Sequence, residues 1–192
     1  MVGQALHRPT PMRPALLIID MVSHFDFPEA PALAGSVVGA ARQIRRLRAH
    51  FLHKGHPVVY ANDNFAHWRS DFRELVAMAK ASGGTGQAVI ELIHPGPEDY
   101  FVLKPKHSAF LATALPVLLA KLGADTLFLT GMTADSCVMA TAIDANAREY
   151  RVRVVRDAVA GLAARKRDAL AVLKASHAAD VVSTRSVLSS IR

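Results

Sequence analysis

The chain alternates between short apolar runs and longer segments in which apolar residues recur every three or four positions. Residues 15–19 are all apolar and end at Asp20, as expected for a strand buried on both faces of a parallel sheet. From Leu33 to Phe51 the apolar residues have helical spacing with arginines between them, and Gly55 follows as a helix stop. This part of the chain therefore predicts a buried strand followed by a long amphipathic helix.

The same alternation continues to the end of the chain. Five more strands are predicted, at residues 57–61, 100–103, 126–129, 152–155 and 180–182. Further helices are predicted at residues 71–80, 111–122, 136–150 and 166–176. The glycine cluster at residues 82–86 predicts a loop, because glycine has no preference for a helix. Pro116 is expected only in a first helical turn, so Thr113 or Ala114 is the expected start of that helix.

Strands that alternate with helices in this way imply right-handed crossovers and a sheet covered on both faces. The predicted fold class is α/β, a three-layer α/β/α Rossmann-like fold with a mostly parallel six-stranded sheet. A length of 192 residues suits one domain, and no linker or repeat divides the chain. Residues 1–192 are therefore predicted to form a single domain, with residues 1–13 as an N-terminal extension.

Composition excludes several classes of protein. Hydrophobic residues make up 51% of the chain and charged residues 20%, which excludes a disordered chain. The longest apolar stretch, residues 109–120, is shorter than the roughly 20 residues that span a membrane. The apolar run at residues 15–19 is too short for a secretory signal. One cysteine cannot form an internal disulfide, so the expected compartment is the cytoplasm.

Charge and motifs bear on the kind of partner. The net charge of +7 would attract polyanions, but net charge describes steering more than function. Arginines cluster at positions 42–48 and 148–156 without the aromatic motif of an RNA-binding domain. A dinucleotide-binding protein would need Gly-x-Gly-x-x-Gly directly after the first strand, where Asp20 stands instead. The sequence therefore favours a small-molecule substrate, with neither nucleic acid nor membrane as a partner.

Polar residues follow the predicted strands where a ligand site of this fold is expected. Asp20 comes after the first strand, Asn62 and Asp63 after the second, Lys104 after the third and residues 131–137 after the fourth. In open α/β sheets, ligands bind beyond the carboxyl ends of the strands, near the point where the strand order reverses. We therefore expect an acid, a lysine and a thiol to meet at this edge of the sheet.

Those residue types suit covalent catalysis. Cys137 is predicted in the first turn of a helix, with Asp135 or Ser136 as a possible cap. The positive end of the helix and a nearby Lys104 ammonium predict that the thiolate is favoured over the thiol. Asp20 is suited to accept the thiol proton and pass it to a leaving group. Taken singly, these residues are more often a core cysteine, a cap and a surface lysine, and only their joint position at three strand ends favours a catalytic site.

Five stretches together resemble the isochorismatase-like cysteine hydrolase family. They are LLIIDM (residues 16–21), VVYANDN (58–64), VLKPKHSAF (102–110), LFLTGMTADSCVMATAIDA (127–145) and VRVVRDAVA (152–160). They occur in the order found in the family and cover nearly the whole chain from Pro14 onward. The most specific stretch is Gly-x-Thr-x-x-x-Cys-Val followed by Ala-Thr-Ala-x-x-Ala.

The resemblance implies a catalytic triad of Asp20, Lys104 and Cys137. Amidases of the family attack a carbonyl with the thiolate, expel an amine and hydrolyse the thioester with water that the aspartate activates. The backbone amides of Thr133 and Cys137 would then hold the oxyanion, and the family's non-proline cis peptide would map to Met132 and Thr133. The resemblance also implies a homo-oligomer and no cofactor.

Departures from the family pattern narrow the expected substrate. Many relatives read Asp-x-Gln-Asn-Asp-Phe after the first strand, whereas this chain keeps only Asp20 and Phe25 of that motif. Nicotinamidases have a metal site built on Asp-x-His and a further histidine, and Asp63 with His67 is not a sufficient ligand set. No metal is therefore predicted. Isochorismatases generally lack the cysteine, so Cys137 points to hydrolysis of a C–N bond.

The predicted function is cysteine-dependent hydrolysis of a small amide, carbamoyl or ureido compound through a thioester. The alternatives are an isochorismatase-type hydrolase acting on another small metabolite, or a catalytically degenerate scaffold or oligomer subunit of the same fold. The substrate pocket is expected to contain Phe25, Phe27, Asn62, Phe65, His67 and Trp68. Ordinary packing or a subunit contact is the competing explanation for these aromatic residues.

Overall fold

A computed structural model describes residues 12–64 and 71–191. Six parallel strands form one sheet in the order β3-β2-β1-β4-β5-β6. The strands are β1 (Pro14–Ile19), β2 (Val58–Asp63), β3 (Tyr100–Lys104), β4 (Thr126–Gly131), β5 (Arg151–Val159) and β6 (Asp180–Val182). The predicted α/β class with a six-stranded sheet is confirmed, and every strand pair is parallel.

Seven helices cover the two faces of the sheet in the part of the chain that is described. They are α1 (Ala30–His53), α2 (Phe72–Ala81), α3 (Gly84–Ile93), α4 (Leu115–Leu122), α5 (Cys137–Ala147), α6 (Ala163–Ala175) and α7 (Thr184–Ser190). One core cluster joins α1, α2, α3 and α7 to one face, and a second joins α4, α5 and α6 to the other. None of the described helices is both long enough and apolar enough to cross a membrane.

Strand β1 lies at the centre of the sheet and contributes to both cores. Leu16 and Ile18 pack in the first cluster, while Leu17 and Ile19 pack in the second. All six residues of β1 are buried. A strand between two helical layers has no solvent face, which is why its sequence is a continuous apolar run rather than an alternating one.

Helix α3 replaces part of the loop that the glycine cluster predicted. Gly83 and Gly84 have φ angles of +70° and +51°, so the chain turns sharply between α2 and α3 at residues that tolerate this conformation. The helix then buries Gly86, Val89, Ile90 and Ile93 at helical spacing against α1. The loop prediction was wrong because Gly83 and Gly84 form only the turn, and the helix begins at Gly84 itself. Helix α7 was not predicted from the sequence.

The start of α4 agrees with the expectation for Pro116. Ala114 is the N-cap and Pro116 lies in the first turn, where the missing N–H costs no helical hydrogen bond. The helix ends at Gly123, which has a φ of +64°. The predicted end at residue 122 is therefore correct, whereas the helix begins at Leu115 rather than at residue 111, next to the start that Pro116 required.

The strand order reverses between β1 and β4, and their carboxyl ends lie in very close contact. A Cβ atom on Gly131 would lie 2.0 Å from the carbonyl oxygen of Ile19. Gly131 also has a φ of +104°, a conformation that other residues rarely adopt. Only glycine at this position lets the chain leave β4 directly beside the residue that follows β1, which is Asp20. The switch point of the sheet therefore contains the first candidate catalytic residue.

Candidate active site

Asp20 begins the site at the carboxyl end of β1. Its backbone has a φ of +53°, in the left-handed region that aspartate tolerates better than most residues. Its Oδ1 accepts a hydrogen bond of 2.7 Å from the backbone N–H of Asp63, and its Oδ2 lies 2.9 Å from Nζ of Lys104. The carboxylate is therefore fixed by two neighbouring strands and is buried.

Lys104 is the last residue of β3 and is completely buried. Besides Asp20, its Nζ lies 3.7 Å from Oδ2 of Asp63 and donates to the carbonyl oxygen of Lys106 at 3.0 Å. The same Nζ lies 3.5 Å from Sγ of Cys137. A buried ammonium is expensive unless it is paired, and here it links the carboxylate to the thiol.

Cys137 is the first residue of α5, and a tight turn carries the chain to it from β4. The peptide bond between Met132 and Thr133 is cis, at the position to which the family resemblance maps it. Ser136 is the N-cap residue of α5, but its side chain makes no cap hydrogen bond. The thiol is half-buried and faces Lys104. The structure thus brings Asp20, Lys104 and Cys137 together.

The electrostatics of the thiol differ from the sequence-based expectation. Burial and the nearby Asp20 carboxylate raise the pKa of Cys137 to about 12, although Lys104 and a hydrogen bond from Ser136 act in the opposite direction. The expectation of a favoured thiolate was wrong, because it considered the helix end and the lysine but not burial or the second negative charge. A raised pKa favours the thiol over the thiolate in the resting site.

The pKa values of Asp20 and Lys104, the two charged neighbours of the thiol, are shifted as well. Burial raises the pKa of Asp20 more than the Lys104 ammonium and the hydrogen bonds lower it. Burial alone would lower the pKa of Lys104, but Asp20, Cys137 and Asp63 together outweigh it, so the pKa of the lysine is raised. Lys104 therefore stays charged, while Asp20 is a stronger base than an exposed aspartate.

In the turn that leads to the thiol, the backbone N–H groups of Thr133, Asp135 and Cys137 have no partner among residues 12–64 and 71–191. The N–H groups of Met132, Ala134 and Val138 donate to carbonyl oxygens, whereas those of Thr133 and Cys137 do not. Cys137 is the first residue of its helix, where an N–H has no partner within the helix. The N–H groups of Thr133 and Cys137 are both free to bind a negatively charged oxygen.

The thiol opens into a cavity of about 680 Å³. Its wall contains Asp20, Phe27, Glu29, Leu33, Asp63, His107, Met132, Thr133, Asp135, Ser136, Cys137, Leu162 and Arg165. Apolar side chains come from the start of α1 and from the turns after β4 and β5. The volume is that of a small-molecule site.

Three of the residues expected in the substrate pocket are described by the structure, namely Phe25, Phe27 and Asn62, and of these only Phe27 lies on this wall. The expectation that Phe25 lines the pocket was wrong, because its ring is buried in the first core cluster. The centroids of the Phe25 and Phe27 rings are 5.9 Å apart. Phe65, His67 and Trp68 lie outside the described residues.

The expectation that Asn62 lines the pocket was also wrong, because its side chain binds the backbone instead. Its Oδ1 accepts from the N–H of Val22 at 3.0 Å, and its Nδ2 donates to the carbonyl oxygen of Val22 at 2.9 Å. A third bond joins Nδ2 to the carbonyl oxygen of Asp63. Asn62 is therefore a buried tie between β2 and the segment after Asp20, and its amide is fully used by the backbone.

Several polar residues of the cavity wall were not predicted from the sequence to contact a ligand. They are Glu29, His107, Asp135, Ser136 and Arg165. His107 lies within VLKPKHSAF, so a signal for it was present in the stretch that carries Lys104. Glu29 and Arg165 lie at the starts of α1 and α6, and no motif marked them. Within the described ranges, no group of three histidine, cysteine, aspartate or glutamate residues is arranged to hold a metal ion.

Fold and site first define a class: an α/β protein of the three-layer type in which a buried acid, a lysine and a thiol meet at the switch point of a parallel sheet. A family model described as an isochorismatase domain matches residues 14–186. The chain belongs to the isochorismatase family, and it is a hydrolase, as members of that family are.

Three relatives illustrate the range of this family. The chain is 35% identical over 146 residues to an uncharacterised isochorismatase family protein, YaaI, from Bacillus subtilis, covering 76% of this chain and 80% of that one. It is 34% identical to a maleamate amidohydrolase from Pseudomonas putida, covering 77% and 72%. A crystal structure of N-carbamoylsarcosine amidase from Thermoplasma acidophilum aligns with a TM-score of 0.66 and 35% identity, covering 90% of this chain and 97% of that one.

Proposed function

We propose that this protein hydrolyses the C–N bond of a small amide, carbamoyl or ureido compound through a thioester on Cys137. The single observation that carries the proposal is the position of Lys104 Nζ, 2.9 Å from the Asp20 carboxylate and 3.5 Å from Cys137 Sγ. A base and a nucleophile thus lie on the wall of one cavity, and a buried cation contacts both of them. The amidohydrolase and the amidase among its relatives support the same reaction class.

Acylation begins from the thiol. As Sγ of Cys137 attacks the carbonyl carbon, the thiol proton moves to Asp20, whose raised pKa suits it as an acceptor. The carbonyl oxygen becomes an oxyanion and binds to the free N–H groups of Thr133 and Cys137. When the C–N bond breaks, the leaving nitrogen takes the proton from Asp20. The products of this step are an amine and a thioester.

Hydrolysis of the thioester repeats the sequence with water. Asp20 accepts a proton from the water as its oxygen attacks the thioester carbon, and the same N–H groups hold the oxyanion. The C–S bond then breaks with its electron pair on sulfur, and the proton on Asp20 returns to Sγ. The buried Lys104 ammonium stabilises Asp20 whenever its carboxylate is ionised, and it contacts the sulfur when the sulfur is negative.

The cavity supports a compact substrate. Phe27, Leu33, Met132 and Leu162 supply apolar contacts for the part of the molecule beyond the scissile bond. The presence of Cys137 favours this reaction over vinyl-ether cleavage, because the thioester route needs a nucleophile at that position.

A panel of primary amides, carbamoyl compounds and ureido compounds tests the proposal. We expect turnover of at least one of them and, on rapid quenching, a mass increase on Cys137 equal to the acyl group. Cys137→Ala should abolish both signals while the thermal unfolding curve remains cooperative. Turnover by Cys137→Ala at the rate of the parent protein would contradict the proposed nucleophile.

A further inference from the structure

A second polar group contacts the sulfur on the solvent side, opposite the buried carboxylate. Nδ1 of His107 lies 3.7 Å from Sγ of Cys137 and 3.2 Å from Oγ of Ser136. Oγ of Ser136 is itself 3.9 Å from Sγ. These three atoms form a small triangle on the wall of the active-site cavity. Neither His107 nor Ser136 has a part in the reaction as derived from Asp20, Lys104 and Cys137 alone.

The position of His107 is fixed by the residues on either side of it. The carbonyl oxygen of Lys106 accepts a hydrogen bond from Lys104, and Oγ of Ser108 donates to Asp144 on α5 at 2.5 Å. The next N–H, that of Ala109, donates to Oγ1 of Thr141 on α5. The loop is therefore tied to the strand that carries Lys104 and to the helix that carries Cys137, and His107 projects between them.

The buried lysine can give the sulfur only one hydrogen bond. An ammonium has three N–H donors, and those of Lys104 are taken up by the Asp20 carboxylate, the carbonyl oxygen of Lys106 and Sγ of Cys137. When the C–S bond of the thioester breaks, the electron pair stays on a sulfur atom in a site that burial makes unfavourable for negative charge. Further donors beside Sγ would lower the energy of that charge.

We infer that His107 is a fourth catalytic residue, which together with Ser136 donates hydrogen bonds to the sulfur of Cys137 while it carries negative charge. In this arrangement Nδ1–H of His107 points to the Sγ and Oγ pair, and the hydroxyl of Ser136 points to Sγ. No proton leaves His107 during the cycle. The proton that water gives to Asp20 returns to the sulfur as before. The role of His107 in thioester hydrolysis rests on the proposed function, whereas its contact with Sγ of Cys137 does not.

Alkylation by iodoacetamide tests the contact without any substrate. Below its pKa a thiol is alkylated in proportion to its thiolate fraction, so loss of a donor should slow the reaction at a fixed pH. We expect His107→Leu, which keeps the bulk of the side chain but no donor, to be alkylated about tenfold more slowly at pH 8 than the parent, the size expected for losing one hydrogen bond to a charged group. A merely space-filling role predicts no slowing.

Conservative and unrelated variants give this test its controls. His107→Asn keeps an N–H near the position of Nδ1 and should be alkylated within about twofold of the parent rate. His94→Leu is the matched control, because His94 is an exposed histidine whose Nδ1 lies beside the carbonyl oxygen of Pro95 rather than the thiol. The other ionisable groups that face the thiol remain unchanged in all variants: Glu29, Asp20, Asp63, Lys104, Asp135 and Arg165.

Turnover supplies the second readout. With an amide that the parent hydrolyses, His107→Leu should slow thioester hydrolysis by about ten- to a hundredfold, so that the acyl adduct on Cys137 accumulates. Ser136→Ala should act in the same direction, and the double variant should lose less than the product of the two single effects, because the side chains act as a pair. Equal alkylation rates in the parent and His107→Leu would overturn the inference, whether or not any amide is hydrolysed. If His107→Leu is alkylated more slowly but no amide is hydrolysed by the parent, the contact between His107 and the sulfur is supported and only the proposed function is contradicted.

Discussion

The two ends of β1 each hold an aspartate beside basic side chains, and the two clusters behave in opposite ways. At the amino end, Asp125 accepts from the backbone N–H of Arg13 and lies 2.8 Å from Nη2 of Arg151. At the carboxyl end, Asp20 lies 2.9 Å from Nζ of Lys104. The distances are similar, but the surroundings are not: the Arg13 and Arg151 side chains are 64% and 54% exposed, and that of Lys104 is fully buried.

The acid strengths follow this difference in burial. Burial would raise the pKa of Asp125, but the hydrogen bond from Thr126 and the two arginines outweigh it, and the pKa is lowered. At Asp20 burial outweighs the lysine, and the pKa is raised. The same residue types therefore make a solvated ion pair at one end of the sheet and a proton acceptor beside a nucleophile at the other. Depth in the fold, more than the presence of a cation, decides which of the two results.

The largest expected effect separates the two ends by activity. Asp20→Asn should lower turnover by about 10⁴-fold or more, because it removes the only proton acceptor in the proposed cycle. Asp125→Asn should leave turnover within about twofold, since Asp125 touches no reacting atom. Both rates are measured with the best amide of the panel. Comparable losses in the two variants would show that the ends of the strand do not differ in function.

The second prediction compares the stability of the two ion pairs. Lys104→Met leaves the Asp20 carboxylate buried without its cation and should lower the free energy of unfolding by about 3–5 kcal/mol. Arg151→Met at the exposed pair should cost less than about 1 kcal/mol, because water and salt screen that pair. Urea unfolding at pH 7 gives both values. A loss below 1 kcal/mol for Lys104→Met would contradict the account of the buried pair.

A third prediction concerns the tie that holds the reactive end in place. Asn62→Ala removes three hydrogen bonds to the backbone and leaves the N–H of Val22 unpaired in the core. The free energy of unfolding should fall by about 1–3 kcal/mol. Asn146→Ala on the exposed side of α5 is the matched control and should change stability by less than about 0.5 kcal/mol. Equal stabilities of the two variants would remove Asn62 from its structural role.

The smallest expected effect is the pH dependence of the exposed pair. Because the pKa of Asp125 is lower in the folded protein than in the unfolded chain, its contribution is present above the unfolded pKa and is lost as the pH falls through the folded pKa. Asp125→Asn should therefore be less stable than the parent by less than about 1 kcal/mol at pH 7, with the gap closing towards pH 2. A gap that widens on acidification would reverse the assigned direction.

The sequence was sufficient for much of the fold and for the meeting of the three candidate residues. The short apolar runs at β1 and β4 are typical of strands between two helical layers, and parallel strands bring their carboxyl ends to one edge. Asp20, Lys104 and Cys137 could therefore be placed together from their positions after predicted strands. Asn62 occupies the same edge, but whether a side chain at a strand end faces a cavity or a neighbouring backbone depends on packing that the pattern does not encode.

The acidity of Cys137 could not be predicted because it depends on depth. A helix start and a nearby lysine, which are visible in the sequence, favour the thiolate. The burial of the sulfur and the orientation of the Asp20 carboxylate are tertiary features, and together they reverse the direction. The helix at α3 was missed for a local reason: Gly83 and Gly84 supply a turn between two helices, and the apolar spacing that follows them is short.

The most direct test of the central claim is the rate at which iodoacetamide alkylates Cys137 at pH 8 in the parent protein and in Asp20→Asn. The account predicts that the parent thiol reacts more slowly than a free-cysteine peptide, and that Asp20→Asn reacts faster than the parent although it no longer hydrolyses amides. A parent thiol that reacts faster than the peptide, or a rate that Asp20→Asn leaves unchanged, would contradict the claim that a buried carboxylate keeps the nucleophile protonated until it attacks.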